Sequence, residues 1–375
     1  MTKIENYLNS LPYHFYFLVV DNFLDINLSN LSNFASITPK SLGIELEQKN
    51  SGKLLSHPEC INFIKTHTPN GQTPAIIPFK PSAKIDLICS QNGWVNISNP
   101  GKLNRFLEDK IEFSKLLDEH SLPQIPHTIT TFSKSNFEVA QNKYGPKLVI
   151  QTHFGWAGNS SHLTDNFEEV TTKIVEGTPV KISPFLVGTS LINNCCLTPQ
   201  GLVQSPPGLQ YTGIPLLSKN PLATTGRQWP SHSSPEVNDQ IKKITSDFSE
   251  ILKTHDYKGF FGLDFFVSEN KVYLLECNPR LTASFAFYTS IEKSSGYEPL
   301  FFYHLLSFFP NQYRINPVEQ NRRFSDHDLV GSEITLKGEE GNTIKKYNAL
   351  IDFAPEGDPT KIDPKILSEV VNEVI

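Results

Sequence analysis

The chain has 375 residues, 38% of them hydrophobic and 19% charged, and carries a formal net charge of −6. That length and balance suit a soluble globular protein of two or three subdomains and exclude a single small module, a disordered chain or a collagen-like one. The negative balance gives no general attraction to phosphate backbones or anionic lipid, so neither nucleic acid nor a membrane is an expected partner.

The run His14-Phe15-Tyr16-Phe17-Leu18-Val19-Val20-Asp21 predicts a buried first strand and its exit loop, the start of an α/β entry domain. It falls far short of the roughly 20 apolar residues that a membrane span needs. Short apolar pieces follow, Ala75-Ile76-Ile77 and Ile85-Asp86-Leu87-Ile88, set between Pro, Ser, Asn and Gly. From 103 to 120 apolar residues recur at helical spacing (Phe106, Leu107, Ile111, Leu116, Leu117), which predicts one helix stopping before Ser121-Leu122-Pro123. Strands are expected at 127–132 and 147–152, with a helix through Phe137, Val139 and Ala140 between them. A second strand group spans 180–197, a Pro/Gly-rich excursion covers 205–234, and a helix at 237–254 leads into two more strands. Beyond Pro310 short strand-like runs alternate with charged turns.

Five cysteines at 60, 89, 195, 196 and 277 show no CxxC or Cys/His metal spacing, and no signal peptide opens the chain, so free thiols in a reducing cytoplasm are expected. Cys195 and Cys196, adjacent on a strand, point to opposite faces and read as packing. His153, His162 and His304 lack a metal-type pairing and read as structural or surface residues.

The most informative stretch runs from Gly259 to Arg280. Two apolar strands flank Ser268-Glu269-Asn270-Lys271, the pattern of an antiparallel hairpin. Glu276 and Asn278, two apart, share a face, and the register can set Asp264 beside them. Carboxylate and amide oxygens suit Mg²⁺ that holds a nucleotide polyphosphate. Arg280 follows on the same face with a donor fork suited to phosphate oxygens. The bland alternative makes Asp264 and Glu276 solvated strand residues; burying two acids in such apolar strands without partners is costly, which weighs against it. The loop 152–161, with Gly155, Gly158 and Ser160, follows the strand Leu148-Val149-Ile150 and can bring backbone N–H groups to phosphate, although an ordinary hairpin loop explains it as well. Neither a Walker P-loop nor a dinucleotide fingerprint is present. In the excursion, Tyr211, Arg227 and Trp229 form either a substrate-facing wall, with Arg227 meeting a carboxylate or phosphate, or a surface loop.

In order, these pieces resemble the ATP-grasp superfamily across roughly residues 100 to 285. Asp109-Lys110 and Leu122-Pro123-Gln124-Ile125-Pro126 resemble its phosphate-contacting lysine element, the segment from Val149 to Ser161 its glycine-rich lid, and Phe185-Leu186-Val187-Gly188 its adenine-side hinge. The segment from Gly262 to Arg280 resembles its metal hairpin. The resemblance implies an α/β (α+β) ATP-grasp fold, with an N-terminal doubly wound preceding domain and nucleotide between the central and C-terminal subdomains. It implies Lys110, Gln151, Gly155, Gly158, Ser160, Ser183, Phe185 and Leu186 as ATP-binding residues, Asp264, Glu276 and Asn278 as Mg²⁺ (or Mn²⁺) ligands, and Arg280 beside the transferred phosphate. Two departures stand out: Gln151 occupies the position where most members place lysine, and no acid stands near Thr189-Ser190, where a ribose-binding acid is common.

The expected division is 1–102 (preceding domain), 103–180 (central subdomain with lid), 181–310 (C-terminal subdomain with metal hairpin) and 311–375 (an extension of unassigned role). The expected reaction is ATP-dependent joining of a carboxylic acid to an amine, amino acids foremost, through an acyl phosphate, with ADP and phosphate released. Arg280 and Arg227 are the catalytic candidates, and a homo-oligomer is compatible with this reading. Rival readings are a carboxylase or acid–thiol ligase of the same fold, and a non-catalytic ATP-binding scaffold.

Overall fold

Four parallel strands begin the structure: β1 (Tyr13–Leu18), β2 (Phe34–Ile37), β3 (Thr73–Pro78) and β4 (Val95–Asn96), in the order β2-β1-β3-β4. The order reverses beside β1, as in a doubly wound sheet. Parallel sheets are covered on both faces, and Phe15 through Leu18 are accordingly all fully buried. The apolar piece at 85–88 lies in the helix Ala83–Asn92, which Ser82 caps and Gly93 ends in the left-handed region. The computed structural model describes residues 1–20, 26, 28–155, 161–214, 217–218, 222–310, 312–325, 329–337, 344–349 and 357, with backbone alone at 336–337 and 344–349.

The single helix expected at 103–120 is two helices, Gly101–Glu108 and Lys110–Glu119. Asp109 between them is extended (φ −72°, ψ 112°), and its carboxylate accepts from the N–H groups of Ile111 and Glu112. Apolar spacing continues across the break, so periodicity could not reveal it, whereas the capping chemistry of Asp109 produces it.

A small antiparallel sheet follows, formed by β5 (Thr128–Thr131), β6 (Leu148–Gln151), β7 (Ser161–Thr164) and β8 (Pro179–Pro184) in the order β5-β8-β6-β7. Alternation along its strands sends Leu148, Ile150, Val180 and Ile182 into a core with Phe132, Phe137 and Val170. The other face carries Val149, Gln151, Lys181 and Ser183.

The large sheet contains β9 (Thr189–Thr198), β10 (Gly201–Gln204), β11 (Gly208–Thr212), β12 (Thr224–Trp229), β13 (Gly259–Ser268), β14 (Lys271–Asn278), β15 (Gly331–Lys337) and β16 (Ile344–Ala349). Its order is β14-β13-β9-β11-β12-β15-β16, with β10 paired to β9. The excursion at 205–234 is thus no surface loop: β11 and β12 lie inside the sheet, and β15 and β16 from the tail extend it. The helix Pro235–Thr254 packs on one face with Leu191, Cys195, Phe261 and Leu263. On the other face Ile192, Cys196 and Phe260 join the helices Phe285–Ser294 and Leu300–Leu306 and the N-terminal sheet in one core. Cys195 and Cys196 therefore do serve packing on opposite faces. All five cysteines are free and buried.

His304, expected as structural or surface, lies in the core at 4% exposure, where its Nδ1 accepts from the N–H of Phe260 at 3.0 Å. Burial pulls its pKa down to about 3, so the folded protein holds the ring neutral. The unfolded chain takes up that proton below its ordinary value of about 6.5. The stabilisation from neutral His304 is complete above that pH and is lost progressively as pH falls toward 3, amounting to about 2 kcal/mol by pH 5. Urea unfolding at pH 7 and pH 5 should show this loss, and His304→Gln, which keeps an acceptor but binds no proton, should lack it. An equal slope in both proteins would refute the assignment.

Candidate active site

The turn between β13 and β14 places Glu269 and Asn270 at positive φ (52° and 62°), the twist-matched geometry of a two-residue hairpin. It fixes a register in which Gly262 faces Asn278 and Asp264 faces Glu276, with a bulge just after Asp264. Cross-strand partners share a face, so the two carboxylates and the amide converge as expected. Asn278 Nδ2 donates to Asp264 Oδ2 at 3.2 Å. From β11, Gln210 Nε2 donates to Asp264 Oδ1 at 3.2 Å. Glu276 is salt-bridged to the ammonium of Lys110 and keeps 36% of its side chain exposed.

Electrostatics follow from this placement. Burial and the adjoining Glu276 carboxylate push the Asp264 carboxyl well above its ordinary range, against the pull of Arg227 and Lys110. Glu276 goes the other way: burial raises it, but Lys110 and Asp264 outweigh that and bring it down to about 2. Burial pulls Lys110 down while Glu276, Asp264 and Glu108 more than restore it, so the ammonium stays charged. Two acids forced together, one of them driven toward its neutral form, form a site that a cation relieves. The oxygen donors of Asp264, Glu276 and Asn278 fit a hard divalent ion that keeps other positions for water or phosphate. Among the described residues no group of three or more His, Cys, Asp or Glu gathers as a metal cluster, so the amide of Asn278 is needed to complete the set.

Arg280 is fully engaged. Its Nε donates to Glu108 at 2.7 Å, Nη1 to the Leu281 carbonyl at 3.0 Å and Nη2 to Asn278 Oδ1 at 3.1 Å, and its guanidinium lies over the Phe79 ring. Glu108 also pairs with Lys80 at 2.6 Å, and these two cations hold its carboxyl low despite burial. Arg227 pairs with Glu333 at 2.9 Å, while its buried Nε finds no partner. Gln210, Arg227 and Glu333 are successive cross-strand neighbours on β11, β12 and β15. Polar side chains thus run from Glu276 and Asp264 on the hairpin, by the Gln210 hydrogen bond that passes over the intervening β9, to Arg227 and Glu333.

On the small sheet, Gln151 donates to Ser161 Oγ at 2.9 Å and stands opposite Lys181, while Ser183 is buried on the same face. Phe185 is 36% exposed, with the Lys147 ammonium near its ring, and Leu186 is half-buried. Gly155 is exposed; Gly158 and Ser160 lie outside the described residues. His153, read as structural or surface, donates from Nδ1 to the Asp109 carboxylate at 2.7 Å. The sequence reading missed Gln210, Glu108, Glu333 and Lys181. Only Lys181 had a local signal, a polar residue alternating with Val180 and Ile182.

Residues 107–284 match the family model described as ATP-grasp domain. A carboxyaminoimidazole ribonucleotide synthase from Aspergillus clavatus, solved with ATP, is similar over 97% of this chain and 100% of that one, with TM-score 0.64 and 10% identity. The biotin carboxylase domain of the 2-oxoglutarate carboxylase from Hydrogenobacter thermophilus, with MgADP and bicarbonate, covers 87% and 74% at TM-score 0.57 and 11% identity. A phosphoribosylamine–glycine ligase from Thermotoga maritima covers 87% and 81% at TM-score 0.53 and 14% identity. At such identities the likeness is one of fold. The match places an ATP-grasp domain at residues 107–284, and the chain shares its fold with these structures. Among the described residues no helix is long and apolar enough to cross a membrane.

Proposed function

We propose that the chain is an ADP-forming ligase that joins a small carboxylic acid, an amino acid foremost, to an amine. The observation that carries this reading is the Asp264–Glu276 pair with Asn278, a set of oxygen donors in which Glu276 is salt-bridged to Lys110 while Asp264 has no ion pair among the described residues. In this reading a carboxylate oxygen attacks the γ-phosphorus of ATP, the bond to the bridging oxygen breaks, and ADP leaves an acyl phosphate. The amine then attacks the acyl carbon, phosphate departs, and the amine proton passes to solvent. Mg²⁺, or Mn²⁺ in its place, held by Asp264, Glu276 and Asn278, supplies charge neutralisation on the polyphosphate. Lys110, Gln151, Gly155, Gly158 and Ser160 take the phosphates; Ser183, Phe185 and Leu186 take the adenine side. Arg280, held rigid by Glu108 and Asn278, and Arg227, paired with Glu333, supply positive charge for the transferred group. Positioning and electrostatics do most of the work in such transfers. The division at 102, 180 and 310 belongs to the same proposal, with nucleotide between the second and third parts.

A carboxylase reading draws support from the fold shared with the synthase and the biotin carboxylase domain. Release of ADP and phosphate from ATP–Mg²⁺, measured against amino acids, other small acids and amines, singly, in pairs and with bicarbonate, decides between them. A pair-dependent signal and a product mass equal to the sum minus water is the expected result. Release that follows bicarbonate alone would replace the amide ligase with a carboxylase, and ATP binding without release in any well would leave a scaffold.

A further inference from the structure

Lys181 is a buried cation that the scaffold does not use. It lies inside β8 at 5% exposure, and the described residues give its ammonium no hydrogen bond and no ion pair. A charge withdrawn from water without a partner costs free energy, so folding alone gives no reason to keep it. Its neighbours Val180 and Ile182 fill the hydrophobic core of the small sheet, and alternation turns Lys181 to the opposite face, beside Ser183. The residue directly across on β6 is Gln151, whose amide is occupied by Ser161, and the residue across on β5 is Ile129. No other positive charge stands in that cross-strand row. The helix Lys110–Glu119 packs against β8, and the ammonium feels the charges of Lys110, Asp118 and Glu276. It thus lies toward the Lys110–Glu276 end of the candidate site. Burial, with Lys110 adding to it, pulls its pKa down to about 8, the behaviour of an ammonium awaiting an anion.

We propose that Lys181, reaching across from β8, is the ammonium that binds the ATP phosphates at the row where β6 offers only the neutral Gln151. This rests on the ligase reading above, since it takes the same cleft to be the nucleotide site. A compact ammonium with three donors meets phosphate oxygens as a point charge, and desolvation strengthens the contact. The position on β8 makes Gln151 and Lys181 a matched pair: the cation can stand on either strand, and only one is needed.

Calorimetric titration with ATP–Mg²⁺ and with adenosine, on the full chain, tests this. Lys181→Met should weaken ATP about tenfold or more while leaving adenosine unchanged. Its melting temperature without ligand should equal or exceed wild type, because an unpaired buried charge is gone. Moving the cation across the strands, in Gln151→Lys with Lys181→Met, should restore most of the ATP affinity. Wild-type ATP affinity in Lys181→Met overturns the proposal; so does an equal loss for adenosine, or a lower melting temperature with no rescue by the double variant, since both mark a structural role. A wild-type chain that binds no ATP would bring down the ligase reading itself, a result distinguishable from any of these.

Discussion

Asp264→Asn combined with Glu276→Gln is expected to lower magnesium-dependent ADP release by about a thousandfold or more, in line with losing electrostatic groups that act on a transferring phosphoryl group. Asp264 accepts on both oxygens, from Gln210 and from Asn278, so an amide at 264 keeps one acceptor, and a flip of the Gln210 amide gives its new NH2 an acceptor. The single variant Asp264→Asn separates function from folding. It removes the like-charge conflict with Glu276 yet leaves the Lys110–Glu276 bridge, so its melting temperature should match or exceed wild type while turnover falls. Wild-type turnover in the double variant, measured with saturating substrates, would sink the metal assignment. A folded, inactive Asp264→Asn is the outcome that the geometry supports.

A second large effect is one of stability. Arg323→Met should cost about 3–5 kcal/mol in urea unfolding, the usual penalty for leaving one member of a buried ion pair alone. Arg323 is fully buried and salt-bridged to Glu292; it also donates to the Glu298 and Gln320 carbonyls and to Gln320 Oε1, and lies over the Tyr297 ring. Glu292 in turn accepts from the Leu300 N–H, at the start of the helix Leu300–Leu306. Without the guanidinium, this carboxylate would face its protein surroundings with one backbone donor. Adding Glu292→Gln should recover a good part of the loss, because the uncompensated charge is then gone. A loss below about 1 kcal/mol, the range of exposed pairs, would mean that water reaches the bridge.

What the sequence made legible was local. The β13–β14 hairpin carries its alternation, its turn and all three oxygen-bearing side chains of the candidate site between Gly259 and Asn278, so pattern alone could assemble them. The strands β11 and β12 looked like an excursion because glycines interrupt them. Both glycines serve packing: a side chain at Gly208 would strike the Trp229 ring, and one at Gly226 would strike the Glu333 carbonyl and the Tyr211 ring. Long-range pairs left no trace either. Arg280 meets Glu108 across 172 positions and Arg227 meets Glu333 across 106, separations at which no spacing rule operates. Lys181 was overlooked for another reason. One lysine in an apolar strand reads as a solvent-facing residue until burial is known.

Three consecutive residues answer to three parts of the molecule. Glu108 binds Lys80, just past β3 of the N-terminal sheet, and Arg280. Asp109 binds His153, past the end of β6, and Lys110 binds Glu276 on the hairpin. Asn99 adds a further tie, exchanging two hydrogen bonds with the backbone of Lys258. Such a junction restricts how the chain can recombine. A chimera that exchanged the first hundred residues with those of another protein would strip Glu108 of one cation and Lys258 of both its bonds, at the edge of the carboxylate pair. The N-terminal sheet therefore has to be inherited together with residues 108–110, Lys258 and Arg280, and grafts that respect this group are the ones whose active cleft should survive.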